Sequence, residues 1–219
     1  MDTPYQRART AAEKHERRDH LLATARAALR EGTDPRALSL TALARQAGMA
    51  KANIYRYFES REAVLLALLV EEWAAVASGL CADFPAPGAA PLGVPALAGR
   101  LSAALLQRPL LSALIAALPS ELEHNLSPDA IAAFKRLTFD SFRQVGAAMA
   151  LACPSLTAPQ HAQLLHDACV VIAGLHPFCH PAAPAADAML APDLAPLRRD
   201  YAKELPRFIA ALAAAAAQG

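Results

Sequence analysis

Ser39–Arg61 reads SLTALARQAGMAKANIYRYFESR, and the fold follows from how this stretch breaks at Gly48. Leu40, Leu43, Ala44 and Ala47 recur at helical spacing, so a short helix is expected over Leu40–Ala47, opened by Ser39. Gly48 supplies a tight turn. A second helix, Lys51–Phe58, points Ile54 and Phe58 inward and keeps Lys51, Ala52, Asn53, Tyr55, Arg56 and Tyr57 on the outside. Cations neutralise phosphates, whereas amide and phenol groups reach phosphates or base edges. Two helices about a short turn, the second presenting such a face, form the helix-turn-helix plan. A solvated basic face on a plain bundle would account for Lys51 and Arg56 alone. It accounts less well for an amide and polar aromatics beside them, with Phe58 and Ser60 following.

The run A-x-x-A-G-M-A-K-A-N-I-Y-R-Y-F-E-S-R-E-A-V-L, residues 44–65, resembles the DNA-binding signature of TetR-type bacterial transcriptional regulators. Gly48, Lys51, Ile54, Tyr55, Tyr57, Phe58, Ser60, Arg61 and Leu65 match it in order, and the resemblance covers residues 14–70. Three departures are visible: the Gly32–Ser39 link is slightly long, Met49 stands where Val is more typical, and Arg61 where Lys is commoner. The resemblance implies an all-α chain with a three-helix, helix-turn-helix head joined to a helical bundle that binds an effector and dimerises. It also implies a ligand-responsive regulator, expected to be a repressor, that holds a palindromic double-stranded DNA operator as a homodimer. The DNA-contacting set is then Ser39, Thr41, Lys51, Ala52, Asn53, Tyr55, Arg56, Tyr57 and Arg61.

Charge is distributed accordingly. The net charge is +1, but residues 1–66 hold 12 Lys+Arg against 8 Asp+Glu (+4), and residues 67–219 hold 9 against 12 (−3). The basic excess lies with the candidate reader. Residues 1–13 read as a flexible arm whose Arg7 and Arg9 suit phosphate or a minor groove, or simply a solvated terminus. Residues 14–60 form the expected head and 61–219 the bundle. The helix Arg61–Cys81 belongs physically to both.

The chain as a whole is 55% hydrophobic and rich in Ala, which excludes general disorder. No apolar run approaches the ~18 residues of a membrane span, and no secretory signal opens the chain, so a cytoplasmic protein is expected. Cys81, Cys153, Cys169 and Cys179 lack CxxC spacing and read as core thiols. A first helix is expected over Ala12–Glu31, ended by Gly32. The Pro/Gly-rich stretch Asp83–Pro95 breaks the chain, and further helices are expected over Val94–Leu106, Pro109–Leu118, Ser127–Ala152 and Thr157–Leu175. A loop over residues 176–193 then precedes a last helix, Leu194–Gln218, capped by Asp193 and interrupted by Pro206.

The last two helices carry broad apolar faces: Leu164, Leu165, Ala168, Val171 and Ile172 on one, Leu205, Phe208, Ile209 and Leu212 on the other. From pattern alone they suit either the chain's own core or a four-helix bundle between two copies, and the family resemblance favours the dimer. It also implies an effector pocket among the middle helices. Trp73, Phe134, Thr138, Phe139, Phe142, Arg143, Met149 and His176 stand at suitable positions, and the composition suits a small hydrophobic compound.

A metal-binding helical sensor, or an enzyme without sequence-specific DNA binding, is the competing class. His176, Cys179 and His180 are close but flanked by Pro177 and Pro181. His161 and His166 are poorly spaced for shared ligation, and Glu121-x-x-His124 is a single copy of a spacing that a di-iron bundle needs twice. No nucleophile-elbow, P-loop or dinucleotide fingerprint occurs. The expectation is no enzyme, no metal and no cofactor.

Overall fold

The computed structural model describes residues 4–85, 89–122 and 126–218, with side chains from residue 12 onward. Every regular element among them is helical. α1 (Pro4–Arg30), α2 (Leu40–Gln46) and α3 (Lys51–Ile54) build the head, and α4 (Arg61–Ala82) leads out of it. α5 (Val94–Leu106), α6 (Pro109–Ala117), α7 (Pro128–Ala152), α8 (Ala158–Cys179), α9 (Ala183–Ala188) and α10 (Tyr201–Ala216) form the body. A π-helical turn, Leu118–Leu122, follows α6.

The boundaries have local causes. Ser39, Ser60, Ser127 and Thr157 each accept a backbone N–H from the first turn of α2, α4, α7 and α8 through the side-chain oxygen, relieving donors a helix start leaves orphaned. Thr157 and Gln160 form the reciprocal capping box. Among the described residues, Gly32 and Gly48 are the glycines with positive φ, +100° and +65°, and they end α1 and α2.

Several expectations are corrected. α1 starts at Pro4, so most of the segment expected as an arm is helix; the side chains of Arg7 and Arg9 lie outside the described residues, as does His124. α3 is one turn long: residues 55–57 continue as turns closed by Tyr57 N–H to the Ile54 carbonyl (2.9 Å), and Phe58 remains buried beside Ile54. α8 runs four residues past Leu175 and through Pro177. The expected loop 176–193 contains α9, and α10 begins at Tyr201, where Asp200, rather than Asp193, supplies the cap. By length and composition α4 and α8 are each long and apolar enough to cross a membrane, contrary to the reading of the sequence by contiguous apolar runs. In this fold α4 spends that apolarity on the core, and it buries Glu62 and Glu72 as well.

One apolar core runs through both halves. Leu21, Leu22 and Ala25 of α1 meet Leu43 and Ala44 of α2, Ile54, Phe58 and the first turns of α4. Further along, Leu69, Trp73, Val76 and Leu80 of α4 join Leu97, Leu111, Leu165, Ile172 and Ile209 of the body. Because α4 contributes to both ends, its tilt is shared by head and body. α7 and α8 approach closely at Gly146, where a Cβ would meet the Ala158 carbonyl oxygen and the Ala162 nitrogen, each at 2.9 Å.

Candidate functional site

The head leaves one side of the α2–α3 unit bare. Thr41, Lys51, Ala52, Asn53 and Arg56 are exposed, and Tyr55 is 53% exposed, while Leu43, Ala44, Ile54 and Phe58 are buried beneath them. The phenol, the amide and two cations thus stand on a rigid apolar base. Arg18 of α1 covers the Phe58 ring at 5.0 Å, a cation–π contact that fixes the edge of that base. Three expected contact residues have other duties. Ser39 Oγ accepts Ala42 N–H at 3.2 Å as a cap. Tyr57 is half-buried and packs on the core. Arg61 donates to the Arg36 carbonyl at 2.5 Å and to Glu62 Oε1 at 2.6 Å, so its guanidinium ties the start of α4 to the turn before α2. In this structure three of its N–H groups are therefore engaged inside the chain.

In the body, α4, α6, α7 and α8 enclose a groove of about 680 Å³. Its walls include Leu69, Val70 and Trp73 of α4, Leu111 and Ile115 of α6, Phe134, Thr138, Phe139 and Phe142 of α7, and Cys169 and Val170 of α8. Five of the expected pocket residues, Trp73, Phe134, Thr138, Phe139 and Phe142, therefore converge on it. Trp73 and Phe142 meet edge-to-face at 4.9 Å, and the Trp73 indole N–H donates to Ser141 Oγ at 2.8 Å. Burial pushes the Cys169 thiol up to about 12, so it lines the groove as a neutral apolar group. Arg143 instead faces a neighbouring depression between α7 and α8. Met149 is fully buried core. His176 lies away from the groove: its ring stacks on His180 at 4.2 Å and meets Tyr201 edge-on at 5.4 Å, and Tyr201 donates to Ser112 Oγ at 3.0 Å. Burial first, and the neighbouring His180 second, push the His176 imidazole down to about 4.

Ion pairs join the two halves at places that periodicity does not reveal. Glu72 of α4, 3% exposed, receives Arg26 Nε at 3.0 Å and Arg30 Nη2 at 3.5 Å from α1, and Arg108 Nη1 at 3.4 Å from the residue before α6. Arg26 also pairs with Glu71. Arg36, in the turn before α2, holds Glu121 Oε1 of the π turn at 3.1 Å. That π turn presents Leu118 and Pro119 to the groove. The sequence signal available was the Glu71-Glu72 pair that follows the apolar run 63–70 of α4.

The expected interface residues divide. Leu164, Leu165, Ala168, Ile172, Leu205 and Ile209 are buried in the chain's own core. Val171 and Leu212 are half-buried, and Phe208 of α10 and Phe178 of α8 are exposed. Among the described residues, no three His, Cys, Asp or Glu side chains converge as metal ligands.

Comparison with known proteins agrees with this division of the chain. Residues 21–68 match the model for bacterial regulatory proteins of the tetR family, and residues 68–216 match that for the tetracyclin repressor-like C-terminal domain. The fold is similar to the crystal structure of a TetR transcriptional regulator from Rhodococcus sp. RHA1 (TM-score 0.55, 20% identity, 90% of this chain and 95% of that one). A putative TetR-family transcriptional regulator from Mesorhizobium loti MAFF303099 is 18% identical over 92% of this chain and 95% of its own, with a TM-score of 0.45. No curated protein matches the sequence. Head and body are each matched, together over most of the chain, and they meet at residue 68 inside α4: this protein is a member of the TetR family of transcriptional regulators, DNA-binding proteins rather than enzymes.

Proposed function

We infer that the chain is a repressor that binds a palindromic DNA operator as a homodimer and releases it when a small hydrophobic effector enters the groove of the body. The observation that carries this reading is the physical continuity between groove and reader. Leu69, Val70 and Trp73 line the groove from α4, the helix that packs on α1 and whose first turns share the buried core of the head with α1, α2 and α3. The π turn adds a second link, since Leu118 and Pro119 touch the groove and Glu121 holds Arg36.

Thr41, Lys51, Ala52, Asn53, Tyr55 and Arg56 form the DNA face in this account. Lys51 and Arg56 neutralise phosphates; Asn53 and Tyr55 supply the groups able to read base edges. One reader this short gains specificity by acting twice, on half-sites related by the twofold axis of a dimer. The outer side of α8 and α10, with Val171, Phe178, Phe208 and Leu212, supplies the partner contact. The effector, bound more tightly by the released form, tilts α4 and shifts the π turn, so that the two readers no longer match the half-site spacing. Such a regulator works in the cytoplasm, where its DNA is.

Anisotropy of labelled duplex DNA, titrated with protein at several salt concentrations, tests the reading. Tight binding that weakens steeply with salt, and more for Lys51→Ala than for a distant Lys203→Ala, is expected. Equal loss in both variants contradicts the assigned face.

A further inference from the structure

Glu72 divides its carboxylate between the two halves of the chain. Its Oε1 accepts Arg26 Nε and Arg30 Nη2 of α1, at 3.0 and 3.5 Å, and its Oε2 accepts Arg108 Nη1 at 3.4 Å. Arg26 and Arg30 lie one turn apart at the end of α1, and Arg108 immediately precedes α6. Glu72 itself stands about three turns along α4, where that helix passes from head to body. Arg26 reaches Glu71 as well, so two carboxylates and three guanidinium groups meet at one point. The next residue, Trp73, the only tryptophan of the chain, lines the groove and donates to Ser141 of α7. Leu111 and Ile115 line the same groove from α6. Two consecutive residues of α4 thus tie it to α1, to the start of α6 and to α7.

A buried carboxylate among guanidinium groups adds little net stability over an apolar cluster, because desolvation offsets the attraction. What it supplies is one preferred arrangement: moving a partner away leaves charge uncompensated in a poorly screened interior. A planar carboxylate that holds α1 by one oxygen and the start of α6 by the other therefore fixes how the head sits on the body. In a dimer joined through the body, that setting is also the separation and relative rotation of the two readers. We propose that Glu72 is a specificity-determining residue for operator spacing, clamping α1 to the start of α6 through Arg26, Arg30 and Arg108 so that one separation of half-sites is bound best. The inference rests on the reading of a dimer on a palindromic operator given above. The other pair between the halves, Arg36–Glu121, is far more exposed and is the weaker tether.

Each base pair added between half-sites separates them by about 3.4 Å and turns one against the other by about 35°. The test measures binding of the full-length protein to the inverted repeat that it selects from random DNA, and to copies with one or two base pairs inserted between the half-sites. A misplaced half-site forfeits the gain of the second reader, so the native protein is expected to lose about tenfold or more in affinity per inserted pair. Arg108→Gln cuts the body side of the clamp and leaves α1 held on α4. It is expected to narrow that loss to about threefold, and Glu72→Gln, which cuts both sides, to narrow it at least as far. The salt slope stays native in both, because Lys51 and Arg56 still meet phosphates. A variant that is merely less stable loses affinity for every spacing alike and keeps their ratio. A native ratio in Arg108→Gln therefore overturns the clamp, even if Glu72→Gln does not fold. So does a lowered salt slope beside a narrowed ratio, which assigns the loss to the DNA face itself. If the native protein selects no inverted repeat, the operator reading falls and the clamp's role falls with it. Selection and spacing dependence in the native protein, with the same ratio in Arg108→Gln, remove the clamp alone.

Discussion

Lys51 shows what a single residue of the reader does. It is exposed at the start of α3 above a buried Ile54, so its removal leaves the head intact. Lys51→Ala is expected to lower DNA affinity for all sequences alike and to reduce the salt slope by about 0.9 per half-site, which salt-titrated binding measures directly. Gly48 is needed for its backbone: φ is +65° and no atom lies within 4 Å of where an alanine methyl would stand, so Gly48→Ala costs only the left-handed conformation, about 1–2 kcal/mol in urea unfolding. His176 sets a pH dependence. Its imidazole is held down to about 4, so between roughly pH 6.5, its unfolded value, and pH 4 the unfolded chain binds a proton that the folded chain refuses. Stability therefore falls on acidification through that window, and His176→Phe is expected to flatten part of the fall in unfolding midpoints. At this scale the sequence identified the exposed cations, the amide and Tyr55. The partners of Arg61 and His176, the Arg36 carbonyl and the rings of His180 and Tyr201, were not legible because tertiary geometry sets them.

Among elements, the helices with strong caps were the most legible. Ser60, Ser127 and the Thr157–Gln160 box each mark a start correctly, because a cap is a local interaction. α3 and α10 were less so. α3 ends at Ile54 and passes into turns, and the run Leu194–Arg198 forms a 3-10 turn before Asp200 opens α10. The ion pairs between elements were invisible to periodicity. Glu121→Gln removes the Arg36 pair, which is too exposed to contribute more than about 1 kcal/mol to stability. Its expected effect is on coupling: effector response of DNA binding shrinks, while thermal midpoint and groove occupancy, read from Trp73, stay near native values. A native-like response in that variant argues against the π turn as a link. Gly146→Ala, by contrast, pushes a methyl into backbone atoms of α8 and is expected to destabilise by about 1–3 kcal/mol in urea unfolding.

At the scale of the whole molecule, the two-part plan was legible from the sequence, because the charge split and the Pro/Gly break divide the chain near α4. Which apolar residues face a partner was not: a helix buried in its own core and one buried in a dimer carry the same stripe, and only the fold separates Leu165, at 0% exposure, from the exposed Phe208. Phe208→Asp is accordingly expected to raise the monomer fraction in sedimentation by at least tenfold in dissociation constant, with little change in the thermal midpoint of the monomer. The central claim joins these scales, since it requires a reader, a twofold axis and a fixed spacing at once. Selection of bound duplexes from a random DNA pool by the purified protein, with salt titrated, tests it most directly. Enrichment of an inverted repeat, lost in Lys51→Ala, is the predicted result; weak binding at physiological salt with no sequence enriched would contradict the account.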